Sequence, residues 1–387
     1  MTAVIPAGVT TARDIVRPAL MASLERLSPA MRQVAAYHLG LADVDIGVAD
    51  GAADARGAGA TGVPGMGATG APGTGAAGVP GTGAAGVPGT GVPSTGAGSG
   101  KALRPALALL SVRAAGAPAE RGVPAAVAVE LVHNFSLLHD DIMDGDTERR
   151  HRPTAWTVFG IPAAILAGDA LLALAQDILL EDTTTHGRWA ARCLLAAVQR
   201  LISGQSADIE FERRGDVSMD ECLTMAGDKT AALMACACSI GAIFTGAPPS
   251  LAMSLADFGS HTGLAFQLVD DLLGIWGAPE VTGKPVWSDL RTRKKTLPVV
   301  AALTGSPAGS PCRHELASLL AQPDPLTEEE LGRAASLIEE AGGRKWAEEE
   351  ATRQLEAACK CLADAQIPED VRGELTEIAR FIADRES

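Results

Sequence analysis

Apolar residues recur along this chain at helical spacing, and no stretch of useful length alternates as a half-buried strand must. A first helical pattern spans Ala12 to Leu41; Pro18 and Pro29 interrupt it, and Gly40 suits a C-terminal stop. From Lys101 to Ser387 one helix follows another, separated by Gly, Pro and polar turns. Within that stretch Ala125 to Val132 reads as a buried helix, Thr327 to Glu330 as a capping-box start and Gly342-Gly343 as a stop. Val371 to Asp384 reads as a final amphipathic helix. The pattern predicts an all-α protein in three parts: an N-terminal helical segment over 1–46, a linker over 47–100, and a helical bundle domain over 101–387.

The linker is set apart by composition. Gly47 to Gly100 is almost entirely Gly, Ala, Pro, Thr and Val, and the octamer Gly-Thr-Gly-Ala-Ala-Gly-Val-Pro occurs twice, at Gly73 to Pro80 and Gly81 to Pro88. It is similar to elastin-like sequence and lacks the strict every-third Gly of collagen. Large apolar side chains are too few to offset the entropy of ordering, so this segment is expected to be disordered.

With 47% hydrophobic but only 3% aromatic residues, the core must be built from Ala, Leu and Val, and Ala and Leu are strong helix formers. A formal charge of −15 argues against binding to nucleic acid, which needs excess Lys and Arg, and disfavours anionic lipid surfaces. Met1 to Thr10 lacks both a basic start and an apolar stretch, and no uninterrupted apolar run approaches bilayer length, so a cytoplasmic protein without a transmembrane segment is expected. The 7 cysteines fit reduced thiols better than a disulfide framework. Cys236 and Cys238, like Cys359 and Cys361, are two apart and point in different directions on a helix, which favours packing over metal binding.

The chemistry concentrates in Leu138-His139-Asp140-Asp141-Ile142-Met143-Asp144, followed by Arg149-Arg150. On a helix Asp140 and Asp144 share a face, with Asp141 at its edge. Three carboxylates emerging from an apolar helix need compensation. Mg²⁺ supplies it, because it takes oxygen ligands and often combines one or two carboxylates with substrate phosphates. A second pair, Asp270-Asp271, lies about 130 residues on, again within an apolar helical run. Two such pairs suggest opposing helices aiming carboxylates at one cation cluster. Lys101, Arg104, Arg149, Arg150, Lys229, Lys284 and Lys294 surround these motifs in sequence. Together they describe a pocket for two polyphosphate groups, one chelated through metal and one gripped by Arg and Lys.

Seven blocks occur in order: Lys101 to Pro105; His133 with Asp140 to Asp144; Arg149-Arg150; Gly204-Gln205; Lys229-Thr230; Phe266-Gln267 with Asp270-Asp271; and Thr282 to Pro285 through Asp289 to Lys294-Lys295-Thr296-Leu297-Pro298. This set resembles the signature of the trans-isoprenyl diphosphate synthases, the polyprenyl synthetases, over the whole of Lys101 to Ser387. The resemblance implies an isoprenoid-synthase-type antiparallel helical bundle around a central cleft, acting as a prenyltransferase on isopentenyl diphosphate and an allylic diphosphate. It implies that Asp140, Asp144 and Asp270 bind three Mg²⁺, with Asp141 and Asp271 in support. Arg149, Lys229 and Lys284 would then hold the allylic diphosphate, and Lys101, Arg104, His133 and Arg150 the isopentenyl diphosphate. Thr230 and Gln267 would line the reacting centre, and Lys294 would close over it.

In the family, an aromatic five residues before the first aspartate, with no insertion inside the motif, is the pattern of geranylgeranyl diphosphate synthases. Phe135 holds that position and Ser136 the next, which implies a twenty-carbon product with farnesyl diphosphate next in line. Two departures stand out: Gly274 replaces the usual third aspartate of the second motif, and 47–100 separates the first helix from the rest. Tyr37 to Gly40 and Asp271 to Gly277 also resemble actinobacterial polyprenyl transferases carried inside encapsulin shells, for which 47–100 would be the shell-binding element. The family's usual state is a homodimer. Two rival readings are a class I terpene cyclase, whose Asn/Asp-Ser/Thr-Glu triad is not found here, and a non-catalytic shell-associated binding subunit.

Overall fold

The computed structural model describes residues 5–42, 102–150, 152–279, 285–305 and 310–383. The 47–100 segment and its expected disorder, together with Lys101 and Lys284, lie outside these residues. The chain divides into a unit of residues 1–43 and 98–387 and a second unit of 44–97; only the first is described below.

Sixteen helices carry its description: α1 (Ala7–Leu24), α2 (Pro29–His38), α3 (Leu103–Ala114), α4 (Val123–Met143), α5 (Ala155–Phe159), α6 (Ile161–Leu180), α7 (Thr185–Glu212), α8 (Met219–Ala226), α9 (Ala232–Phe244), α10 (Pro249–Trp276), α11 (Ser288–Arg291), α12 (Leu297–Gly305), α13 (Pro311–Leu320), α14 (Glu328–Glu340), α15 (Gly343–Ala363) and α16 (Glu369–Ala383). A two-residue antiparallel ribbon pairs Glu148–Arg149 with Arg152–Pro153.

Local chemistry explains many of the ends. Thr184 caps α7 by accepting from His186 and Gly187, and Ser218 with Glu221 forms a capping box on α8. Thr327 with Glu330 forms the capping box predicted for α14, and Gly342, at φ 82°, turns the chain into α15. Pro29 opens α2, a first-turn position where its missing N–H costs nothing. Pro18, by contrast, lies inside α1 and does not interrupt it. The apolar face of α1 wins over the local penalty: Val9, Ala12, Val16, Leu20 and Leu24 are all buried.

The long helices pack around α9, which touches α3, α4, α7 and α10; α4 packs on α6, and α10 on α15. The core is the Ala, Leu and Val lattice that the composition calls for, with Phe258 the one aromatic among its largest fully buried side chains. Two spans, Ile161–Leu180 and Met219–Phe244, are long and apolar enough by length and composition to cross a bilayer, but neither is an uninterrupted apolar run, the first carrying Asp169 and Asp177 and the second Asp220, Glu221, Asp228 and Lys229. The second is a core element, 67% of its apolar window being buried within the fold.

Candidate active site

The first acidic group forms because α4 delivers its apolar length to the core and ends at Asp144, leaving three carboxylates on its last turn. Each is held differently. Asp141 is buried and accepts a hydrogen bond from Arg149 Nε at 2.6 Å. Asp144 receives Lys294 Nζ at 3.0 Å, across from the connection between α11 and α12. Asp140 is desolvated, and Asp144 beside it adds repulsion; together these overcome Lys229, Arg149 and Lys294 and push its carboxyl up to about 6.

The second group stands on α10, one turn before its end. Asp270 is exposed and Asp271 buried, so the adjacent pair splits between two faces. Asp271 accepts from the Leu297 backbone N–H at 2.9 Å and from Gln267 Nε2 at 2.7 Å. Burial nevertheless dominates and raises its carboxyl to about 8. Gln267 Oε1 in turn accepts from Thr230 Oγ1. Thr230, Gln267, Asp271 and the start of α12 are therefore locked in one hydrogen-bonded chain.

Between the two groups lies a π-helical turn, Gly227–Ala231, closed by the Ala232 N–H on the Gly227 carbonyl. Such turns insert one extra residue into a helix and re-aim side chains. This one carries Lys229 and Thr230. Lys229 Nζ pairs with Asp208 of α7 at 2.5 Å, and Asp208 also acts on Lys294. Burial lowers the Lys294 ammonium, but Asp144, Asp208 and Asp289 outweigh it and hold the group above its ordinary value. Lys294 thus ties α4, α7 and the α10–α11 region by charge.

The basic side of the site is built from α3, α4 and the ribbon. Arg104 is buried, its Nη1 3.3 Å from His133 Nε2, while its Nε is buried without a hydrogen-bond partner. Burial, then the charges of Arg104, Arg150 and Arg149, hold His133 well below its ordinary value, so it is neutral. Arg150 takes a left-handed backbone, φ 55°, at the ribbon turn; burial and neighbouring Arg149 lower it, while Glu130 and Asp141 oppose the shift. Repelling guanidiniums and an unsatisfied buried N–H make a pocket suited to an anion rich in oxygens.

Phe135 and Ser136 lie deeper on α4. Phe135 is buried, its ring edge-on to His139 at 4.9 Å between centroids, and His139 Nε2 lies 3.0 Å from the Ile165 carbonyl of α6. Ser136 is buried and bonds only one turn back, to the His133 carbonyl at 2.8 Å.

Among the described residues no three His, Cys, Asp or Glu side chains converge into a protein-only metal cage. Asp140, Asp144 and Asp270 are oxygen donors on two helices, with Lys229 and Lys294 acting on the α4 pair. That donor set suits a hard divalent ion that completes its shell with water and phosphate oxygens. Sequence reasoning missed Asp208 and the role of Gly204. A carboxylate three residues past the Gly204-Gln205 pair was the available signal for Asp208.

The raised carboxyls carry a pH prediction. Above pH 6.5 the unfolded chain has released its carboxyl and histidine protons, while folded Asp271 keeps its proton until about pH 8. The folded state then binds more protons, so metal-free stability falls as pH rises from about 6.5 to 8. Below that window buried neutral His133 works the other way and masks the trend. The loss is on the order of 1–2 kcal/mol, and thermal melts in chelator should show it. Asp271→Asn is expected to flatten the slope; an unchanged slope in that variant refutes the assignment.

The polyprenyl synthetase family model matches residues 94–337. The chain is 43% identical over 378 residues to the (2E,6E)-farnesyl diphosphate synthase of Mycobacterium tuberculosis (strain ATCC 25618 / H37Rv), covering 97% of this chain and 92% of that one. It is 47% identical over 275 residues to the geranylgeranyl diphosphate synthase of the same strain, covering 70% and 77%. The crystal structure of polyprenyl synthetase from Streptomyces coelicolor A3(2) superposes with a TM-score of 0.80 at 46% identity, covering 97% and 98%. With the helical fold and both acidic groups already in hand, these likenesses establish that the chain belongs to the polyprenyl synthetases, the trans-isoprenyl diphosphate synthases, and is a prenyltransferase of the short-chain prenyl diphosphate type.

Proposed function

We propose that this prenyltransferase joins isopentenyl diphosphate head to tail to an allylic diphosphate and releases geranylgeranyl diphosphate. One observation carries the reading: the α4 carboxylates hold cations of their own, Arg149 on Asp141 and Lys294 on Asp144, beside a separate buried basic pocket whose Arg104 Nε lacks a partner. Two anion sites of different character fit two diphosphates handled differently.

Arg149 and Lys229 are assigned to the allylic diphosphate, with Lys284 beside them by resemblance. The metal used by the family is read as Mg²⁺, three per site, held by Asp140, Asp144 and Asp270; when bound it supplies the charge that neutralises the leaving diphosphate. Arg104, His133 and Arg150, with Lys101 by resemblance, hold isopentenyl diphosphate so that its double bond lies beside the allylic carbon. As the carbon–oxygen bond breaks, its electron pair leaves with the diphosphate, and the double bond's electrons form the new carbon–carbon bond. Thr230 and Gln267, fixed by their shared hydrogen bond, offer oxygen dipoles near the developing cation. The adjacent carbon then loses a proton, for which a diphosphate oxygen is the nearest strong acceptor. Lys294, paired with Asp144 and held by the charges of Asp208 and Asp289, closes over the site.

For chain length, the support is Phe135 at the deeper position with the small Ser136 next above it, and the 47% identity to a geranylgeranyl diphosphate synthase. The 43% identity to a farnesyl diphosphate synthase over nearly the whole chain supports the fifteen-carbon alternative. Purified protein with Mg²⁺, isopentenyl diphosphate and each allylic starter decides, by product length. Phe135→Leu, chosen over Ala because a buried Phe→Ala change costs about 3–5 kcal/mol, is expected to lengthen the product by at least one isoprene unit. An unchanged product spectrum rejects Phe135 as the floor.

A homodimer is supported by apolar side chains exposed on the contacting helices α6 and α7, among them Ile161, Ile165, Leu166, Trp189, Leu195 and Ile202. Light scattering of the purified chain tests it. Association with an encapsulin shell through 47–100 rests on resemblance alone, and deleting that segment before co-purification with a shell tests it.

A further inference from the structure

The second acidic group is short by one residue in sequence, because Gly274 stands where a third aspartate would share a face with Asp270. The space is filled all the same. A Cβ built on Gly274 would lie 2.0 Å from Asp289 Oδ2, 2.5 Å from its Cγ and 2.9 Å from its Oδ1. The carboxylate of Asp289 therefore rests on the bare Cα, in the place a side chain at 274 would occupy. It is pinned there. Ser288 Oγ lies 3.2 Å from the Gly274 carbonyl and 3.3 Å from Asp289 Oδ1. The Asp289 carbonyl accepts the Lys294 backbone N–H at 2.9 Å, so the same residue folds the chain that presents Lys294.

We infer that Asp289 is the third carboxylate of the second acidic group, supplied by α11 across the glycine and not by α10 itself, and that it acts as a positioning residue for Lys294 and for a divalent cation on the Asp270 side. This rests on the proposed function, since it assigns a carboxylate to that cation. It also explains why glycine stands at 274: even an alanine methyl would overlap the Asp289 carboxylate. On α4, Asp140 and Asp144 form an i, i+4 pair. On α10, Asp270 and the carboxylate seated at 274 reproduce that spacing with residues nineteen apart in sequence.

The test moves the carboxylate from one backbone to the other. Binding of Mn²⁺ with inorganic pyrophosphate is read from the free-Mn²⁺ paramagnetic resonance signal, with a thermal melt for each variant. Asp289→Asn preserves shape and removes charge, and is expected to weaken Mn²⁺ binding about tenfold or more. The double variant Gly274→Asp with Asp289→Gly returns the carboxylate from α10 and is expected to recover binding to within about threefold of wild type. A packing role would tolerate Asn and gain nothing from the swap. Wild-type binding in Asp289→Asn, or a folded double variant no better than Asp289→Asn, overturns the inference. If the double variant does not fold, Ser288→Ala decides: releasing the carboxylate should weaken binding severalfold, and unchanged binding overturns the inference. The readout needs no prenyl substrate. Asp289-dependent Mn²⁺ binding in a wild-type protein that makes no prenyl product sinks the proposed reaction alone, whereas turnover with Asp289-independent binding sinks only the inference.

Discussion

Asp140→Ala is expected to lower kcat/KM by about a thousandfold or more, with little loss of stability. Asp140 sits on the last turn of α4, desolvated and next to Asp144, and burial with that repulsion raises its carboxyl to about 6. The metal-free protein gains nothing from holding a charge there, so removing it relieves the fold. A bound divalent ion reverses the balance, because its charge makes the desolvated carboxylate favourable. The same residue should therefore cost the apo protein and serve the loaded one. Steady-state kinetics across Mg²⁺ concentrations checks the first half, and melts in chelator check the second. The loss should be only partly recovered at high Mg²⁺, since excess ion restores occupancy but not the ligand that fixes its position. Activity within tenfold of wild type would remove Asp140 from the machinery.

Gly204→Ala is the second large effect, and it touches no ionisable group. A Cβ at 204 would stand 2.3 Å from the Lys229 backbone nitrogen, 2.7 Å from its Cα and 2.8 Å from the Asp228 carbonyl carbon. These are backbone atoms and no rotamer change relieves them. Helix α7 and the π-helical turn must separate by about 1 Å to regain ordinary contact. The change gains about 1 kcal/mol of helix propensity but overpacks the contact at about 1–3 kcal/mol, so a melting point lower by several degrees is expected. The larger consequence is chemical. Lys229 and Thr230 ride on that turn, and a displacement of this size typically costs about a hundredfold in rate. The Lys229–Asp208 pair and the Thr230–Gln267 bond would both stretch. A kcat within threefold of wild type at an unchanged melting point would show that the close approach does not position the turn.

Much of the fold was legible before any coordinates. Helical spacing, scarce aromatics and a capping box dictate an all-α chain, and the structure places the α14 cap at Thr327 and the turn at Gly342 as read. Pro18 does not break α1 as its local penalty predicts, because that penalty is visible in sequence while the buried face that outweighs it is not. The aspartates and the arginines could likewise be named from type and spacing, and His133 from the family resemblance. Their division of labour could not. That Asp271 is buried and bound to Gln267 while its neighbour Asp270 is exposed depends on which way α10 rolls against the core.

The sequence by itself determined the helices, the two acidic groups and the inventory of cations, because periodicity, caps and residue chemistry are local properties. Only the tertiary structure decided which charges meet. Lys294 reaches Asp144, Asp208 stands under Lys229, and Asp289 takes the seat left bare at Gly274. Those pairings join residues distant in the chain, and they follow from how closely helices approach. Helix packing distance is set by small side chains at the crossings, and no spacing rule along one strand of sequence encodes it.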